Sequence, residues 1–131
     1  MHQKVFVVIS RNHARVWTQG LAPHSAPIVI EEESVNAEYR TILNKFFNGR
    51  DRSQLSPAFA ERVIAAVDGV GELYLVGAGK GKASAVANFI SYLRKRHPQI
   101  AERVRRIETL DIPNMSEPEL MAEGRRLFEL P

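Results

Sequence analysis

Residues 71–97, GELYLVGAGKGKASAVANFISYLRKRH, decide the fold class of this chain. Residues 72–76 form an apolar run of strand length. A glycine-rich turn follows, and from Ser84 to His97 the apolar side chains Val86, Phe89, Ile90 and Leu93 recur at the helical period. A buried strand feeding a helix is half of a βαβ unit. The second strand of that unit is read at residues 106–110, where Arg106, Ile107, Glu108, Thr109 and Leu110 alternate, and it should run parallel to the first.

Upstream, Val5-Phe6-Val7-Val8-Ile9 is a largely β-branched run. It is followed by a polar turn and by the alternating Ala14-Arg15-Val16-Trp17-Thr18, which predicts an antiparallel hairpin. Residues 20–27 read as a loop and residues 27–31 as a third strand. Val35, Tyr39, Ile42, Leu43 and Phe46 have helical spacing, so a helix is expected near residues 34–47. Ser56-Pro57 opens a further helix with a serine cap and a first-turn proline, and Phe59, Val63, Ile64 and Val67 form its inner stripe. Ser116 and Glu119 have capping-box spacing before a last helix. The expectation is an α/β fold in one domain, residues 1–131. It holds a mixed five-stranded sheet, an antiparallel meander followed by βαβ, with helices packed on its faces.

The chain has 131 residues and no cysteine, which excludes disulfides and thiolate metal sites. Its one N-terminal apolar run, Val5 to Ile9, is too short for a signal core or a membrane span, so a cytoplasmic protein with no membrane partner is expected. Net charge is only +3, but its distribution is uneven. Residues 1–79 carry eight basic and eight acidic side chains. Residues 80–106 carry Lys80, Lys82, Arg94, Lys95, Arg96, Arg103, Arg105 and Arg106 against Glu102 alone, and residues 107–131 are net acidic. Such a block is either a solvated face or a polyanion-binding surface, RNA being the ligand expected. Arg50 and Arg52 form a second basic patch, and Tyr92 is the one aromatic placed to interleave with the block.

The glycine turn satisfies neither phosphate-binding motif. Gly77 and Gly81 are separated by three residues rather than four, and Lys82 precedes Ala83 rather than a hydroxyl residue. Lys82 also stands where a dinucleotide fingerprint needs its third glycine. Gly77, Gly79 and Gly81 next to a helix N-terminus could still attract an anion, although a tight strand-to-helix connection explains them as well. His2, His13, His24 and His97 lack metal-ligand spacing, and no serine has nucleophile context. No metal, cofactor or catalytic residue is therefore expected.

Taken together, VFVVISRNHARVW, PIVIEEE and the stretch from Glu72 through Pro113 resemble the small bacterial proteins labelled translational-machinery proteins. These are similar in turn to the middle domain of the eukaryotic and archaeal class 1 peptide-release factor and of Pelota. The resemblance spans about residues 4–128 and is most specific from Leu73 to Leu93. It implies a mixed-sheet α/β fold and work on or near the ribosome. Release factors carry Gly-Gly-Gln in the loop that corresponds to residues 34–55. This chain has no Gly-Gly pair, offering Asn48-Gly49-Arg50 and a nearby Gln54 instead, so peptidyl-tRNA hydrolysis is not implied. The flanking domains that read a codon or bind a GTPase are not expected either. The resulting expectation is a non-catalytic module whose partner is the ribosome or structured RNA. Lys80, Lys82, Arg94, Lys95, Arg96, Arg103, Arg105, Arg106, Arg50 and Arg52 would supply its phosphate contacts. The alternatives are a protein-interaction or homo-oligomeric module using Phe46, Phe47 and a strand edge, and a small-anion binder at the turn from Gly77 to Lys82.

Overall fold

The computed structural model describes residues 3–10, 12–31, 56–67, 71–79 and 84–130. Five strands, β1 (Lys4–Ile9), β2 (His13–Trp17), β3 (Ile28–Glu31), β4 (Glu72–Gly77) and β5 (Val104–Thr109), form one mixed sheet in the order β3-β2-β1-β4-β5. β1 pairs antiparallel with β2, and β2 with β3; β1 pairs parallel with β4, and β4 with β5. The expected meander and βαβ unit are both present. The helices are α1 (Pro57–Val67), α2 (Ala85–Arg96), α3 (Pro98–Ala101) and α4 (Glu117–Glu129), with a 3-10 turn at Ile112–Asn114.

Position in the sheet follows from strand composition. β1 and β4 are apolar without alternation because both of their faces are covered. Val5, Val7, Ile9, Leu73 and Leu75 face α1 and α2, where they pack on Phe59, Val63, Phe89 and Leu93. Phe6, Val8, Tyr74 and Val76 face the other way, toward Trp17 and the Leu120, Met121 and Leu127 side chains of α4. Burying each such large side chain is worth about 1.5–3 kcal/mol. The edge strands are more exposed: in β3 Ile30 alone is buried, and β5 alternates between half-buried and exposed positions.

Caps fix the helix ends. Ser56 Oγ accepts from the Phe59 amide, Ser84 Oγ accepts from the Ala87 amide, and Ser116 and Glu119 form the reciprocal capping box expected of them. One local reading needs correction. β5 starts at Val104 rather than Arg106, because a register shift opposite Leu73 and Tyr74 inserts Arg105 as an extra residue. That bulge breaks the two-residue period on which the sequence reading relied. Pro98 occupies the first turn of the short α3. The helix expected near residues 34–47, with Phe46 and Phe47, lies outside the described residues.

Candidate nucleic-acid interface

The inward stripe Val86, Phe89, Ile90 and Leu93 anchors α2 on the sheet and leaves Arg94, Lys95 and Arg96 exposed in its last turn. The His97 amide closes that turn on the Leu93 carbonyl at 2.7 Å, and α3 then returns the chain to the sheet. The Arg103 carbonyl accepts from the Leu73 amide at 2.9 Å, which fixes Arg103 at the N-terminal end of β4. Arg105, in the bulge, donates through Nε to Glu72 Oε2 at 3.1 Å. Arg106 stands in register with Tyr74, whose hydroxyl also reaches Glu72 Oε2, at 3.4 Å. Burial, and then the Glu72 carboxylate, raise the Tyr74 phenol above its ordinary value.

Arg94, Lys95, Arg96, Arg103, Arg105 and Arg106 thus gather at the end of the sheet where β4 and β5 begin. Arg105 and Arg106 lie beside Tyr74, on the face that carries α4, whereas α2 covers the opposite face. The group therefore wraps around the sheet edge rather than forming one flat patch. Arg94 and Lys95 make no ion pair among the described residues. The C-terminus of α2 stabilises them in any case, since cations there oppose the helix dipole.

Beside this group is a constellation that the sequence did not signal. Glu61 of α1 accepts hydrogen bonds from the Tyr92 hydroxyl and from His97 Nε2, the latter at 2.9 Å to Oε2. The Tyr92 and His97 donors, and then the nearby Arg96, hold the Glu61 carboxyl below its ordinary value. The Glu61 hydrogen bond in turn raises the Tyr92 phenol. Glu61 thereby ties α1 to the end of α2 from which the cations project. Only its place, as the one acidic residue of α1, could have flagged it. Tyr92, half-buried with its hydroxyl engaged by Glu61, has its ring 6.3 Å from His97.

The glycine turn stands at the opposite end of β4. A Cβ on Gly77 would lie 3.0 Å from Val86 Cβ and 3.2 Å from the Ile9 carbonyl, so this glycine permits α2 to approach the sheet. Gly79 has a φ of +82°, a conformation costly for other residues. The Leu110 amide donates to the Gly77 carbonyl and Thr109 Oγ1 donates to the Gly79 carbonyl. Ser84 occupies one of the orphan amides of α2. Lys80, Gly81, Lys82, Arg50 and Arg52 lie outside the described residues.

Among the described residues no group of histidines and carboxylates could hold a metal ion, and no helix is long and apolar enough to cross a membrane. A groove of about 430 Å³ lies between residues 23–27 and Glu117, Pro118, Met121 and Arg125 of α4, and none of the cations above lines it.

No protein-family model and no curated protein matches the chain. Its fold is similar to that of Pelota from Archaeoglobus fulgidus, whose crystal structure reveals inter-domain structural plasticity, with a TM-score of 0.51 and 17% identity. The fold is Pelota-like. The similarity covers 95% of this chain and 31% of that one, so the chain spans less than a third of the protein it resembles.

Proposed function

We propose that this chain is a non-catalytic, translation-related module that docks on ribosomal or other structured RNA. The docking surface is the basic group at the C-terminal end of α2 and the start of β5. The observation that carries this reading is the run Arg94, Lys95 and Arg96, three consecutive exposed cations, with Arg103 and Arg105 at the same end of the sheet. Two of the carboxylates nearby are already engaged, Glu61 with Tyr92 and His97, and Glu72 with Arg105 and Tyr74. Arg106 adds to the same phosphate-binding surface; Arg50, Arg52, Lys80 and Lys82, outside the described residues, are further phosphate contacts proposed from the sequence alone. The Pelota-like fold and the sequence resemblance to translational-machinery proteins support a role in translation, which is cytoplasmic work. Contacts of this kind give affinity with little sequence preference and a strong dependence on salt.

The test is co-sedimentation with ribosomes across a salt series, comparing wild type with an Arg94→Glu/Lys95→Glu/Arg96→Glu variant whose fold is checked by circular dichroism. If these three side chains contact phosphates, the slope of log affinity against log salt should fall by about two to three units in the variant. Wild type that fails to sediment even at low salt would refute the proposal. So would a variant that binds with the wild-type slope.

A further inference from the structure

We propose that the outer edge of β5 is a self-association site, at which two copies of the chain pair their β5 strands antiparallel about a two-fold axis through Ile107. β5 closes one side of the sheet and, among the described residues, pairs with β4 alone. The Leu110 amide points inward, to the Gly77 carbonyl at 3.0 Å. Because amide direction alternates along a strand, Arg106 and Glu108 also turn their backbone groups toward β4. Ile107 and Thr109 turn theirs to the open edge. Ile107 is 47% exposed there, one of three large apolar side chains so placed among the described residues.

Charge selects the register. An antiparallel pair using the outward amides must set odd-numbered residues opposite odd-numbered ones, so the axis can fall at residue 106, 107 or 108. An axis at Arg106 opposes the two arginines, and an axis at Glu108 opposes the two glutamates. In both cases the like charges fall in the closely spaced, non-hydrogen-bonded pairs. An axis at Ile107 instead opposes Arg106 to the second copy's Glu108 twice and stacks Ile107 on its symmetry mate. Glu108 already accepts from Arg126 at 3.0 Å, which holds it on the α4 face beside Arg106. The contact is isologous and closes as a dimer instead of propagating. The bulge at Arg105 keeps the ladder short, so association is expected to be weak.

Sedimentation analysis from on the order of 10 µM to 1 mM should show a monomer–dimer equilibrium in the range of small interfaces. Ile107→Pro removes an amide that faces outward, leaving the ladder to β4 intact, and Ile107→Lys places like charges on the axis. Either should weaken dimerisation by about tenfold or more. The native chain has no cysteine, so engineered thiols report the register directly. A hydrogen-bonded antiparallel pair sets its Cα atoms about 5.5 Å apart, within disulfide range. Ile107→Cys should therefore cross-link on oxidation and Thr109→Cys should not. A chain that stays monomeric throughout overturns the proposal. Undiminished dimerisation of the Ile107 variants, or equal cross-linking at 107 and 109, does so too.

Discussion

Gly124→Ala sets two effects of comparable size against each other, and the structure says which should win. Gly124 is buried in the middle of α4, facing the sheet. A Cβ there would lie 2.5 Å from Leu21 Cδ1 and 2.9 Å from two atoms of the Phe6 ring. Carbon atoms pack best at about 3.5–4.0 Å, so the new methyl group intrudes by roughly 1 Å on Leu21 and somewhat less on Phe6. The Leu21 methyl ends a rotatable side chain and can yield. The Phe6 ring cannot: it is fully buried, 5.6 Å from the Trp17 ring and 6.4 Å from that of Phe128. Overpacking of this kind costs about 1–3 kcal/mol, and replacing a helical glycine by alanine returns about 1 kcal/mol. A net loss of about 1 kcal/mol is expected, lowering the urea midpoint by roughly 0.5–1 M. Trp17, the single tryptophan, reports the site by fluorescence. Ala122→Gly, on the exposed side of the same helix, calibrates the propensity contribution. If Gly124→Ala instead gains the full amount that Ala122→Gly loses, α4 does not press on Phe6 and the packing argument fails.

Glu61 and Glu119 both have carboxyls held below the ordinary value of 4.5, Glu61 by Tyr92 and His97 and Glu119 by the Ser116 cap. A depressed carboxyl contributes stability above its unfolded value, which is lost as pH falls through the folded one. Glu61→Gln should therefore lower stability at neutral pH and flatten the decline below about pH 4.5; an unchanged acid limb in pH-dependent urea unfolding would refute this. Ser116→Ala should cost about 1 kcal/mol and return the Glu119 titration, followed by NMR, toward its ordinary value. A Glu119 titration identical to wild type would show that the capping box does not form in solution.

The strand run β1, the β4–α2 connection and the serine caps at Ser56 and Ser116 were legible because each has a local physical cause. A strand buried on both faces must be apolar throughout, and an orphan helix amide needs a nearby oxygen. The chemical reason for the glycines was only partly legible. Gly79 supplies the positive φ that the sequence suggested, but Gly77 is needed for the approach of Val86, a contact nine residues away and invisible to turn chemistry. The β5 boundary was misread because a bulge depends on the neighbouring strand's register, which no single segment encodes. Glu61 escaped notice for the same reason: its partners Tyr92 and His97 lie 31 and 36 residues along the chain and meet it only once α1 and α2 pack side by side.

The crossover geometry also separates the two ligand classes that the sequence left open. β4 ends at Gly77, and α2 then runs back along the sheet for 12 residues, about 18 Å, before presenting Arg94, Lys95 and Arg96. Gly77 and Gly79 therefore stand at one end of the sheet, and the described cations at the other. A phosphate ion or a single nucleotide bound at the turn gains nothing from Arg94 to Arg106, so a small-anion site leaves most of the basic block without a role. An extended polyanion can use cations spread around the edge at which β4 and β5 begin, because its charges repeat along its length. The arrangement thus favours a polymer over a compact ligand, independently of the Pelota-like fold.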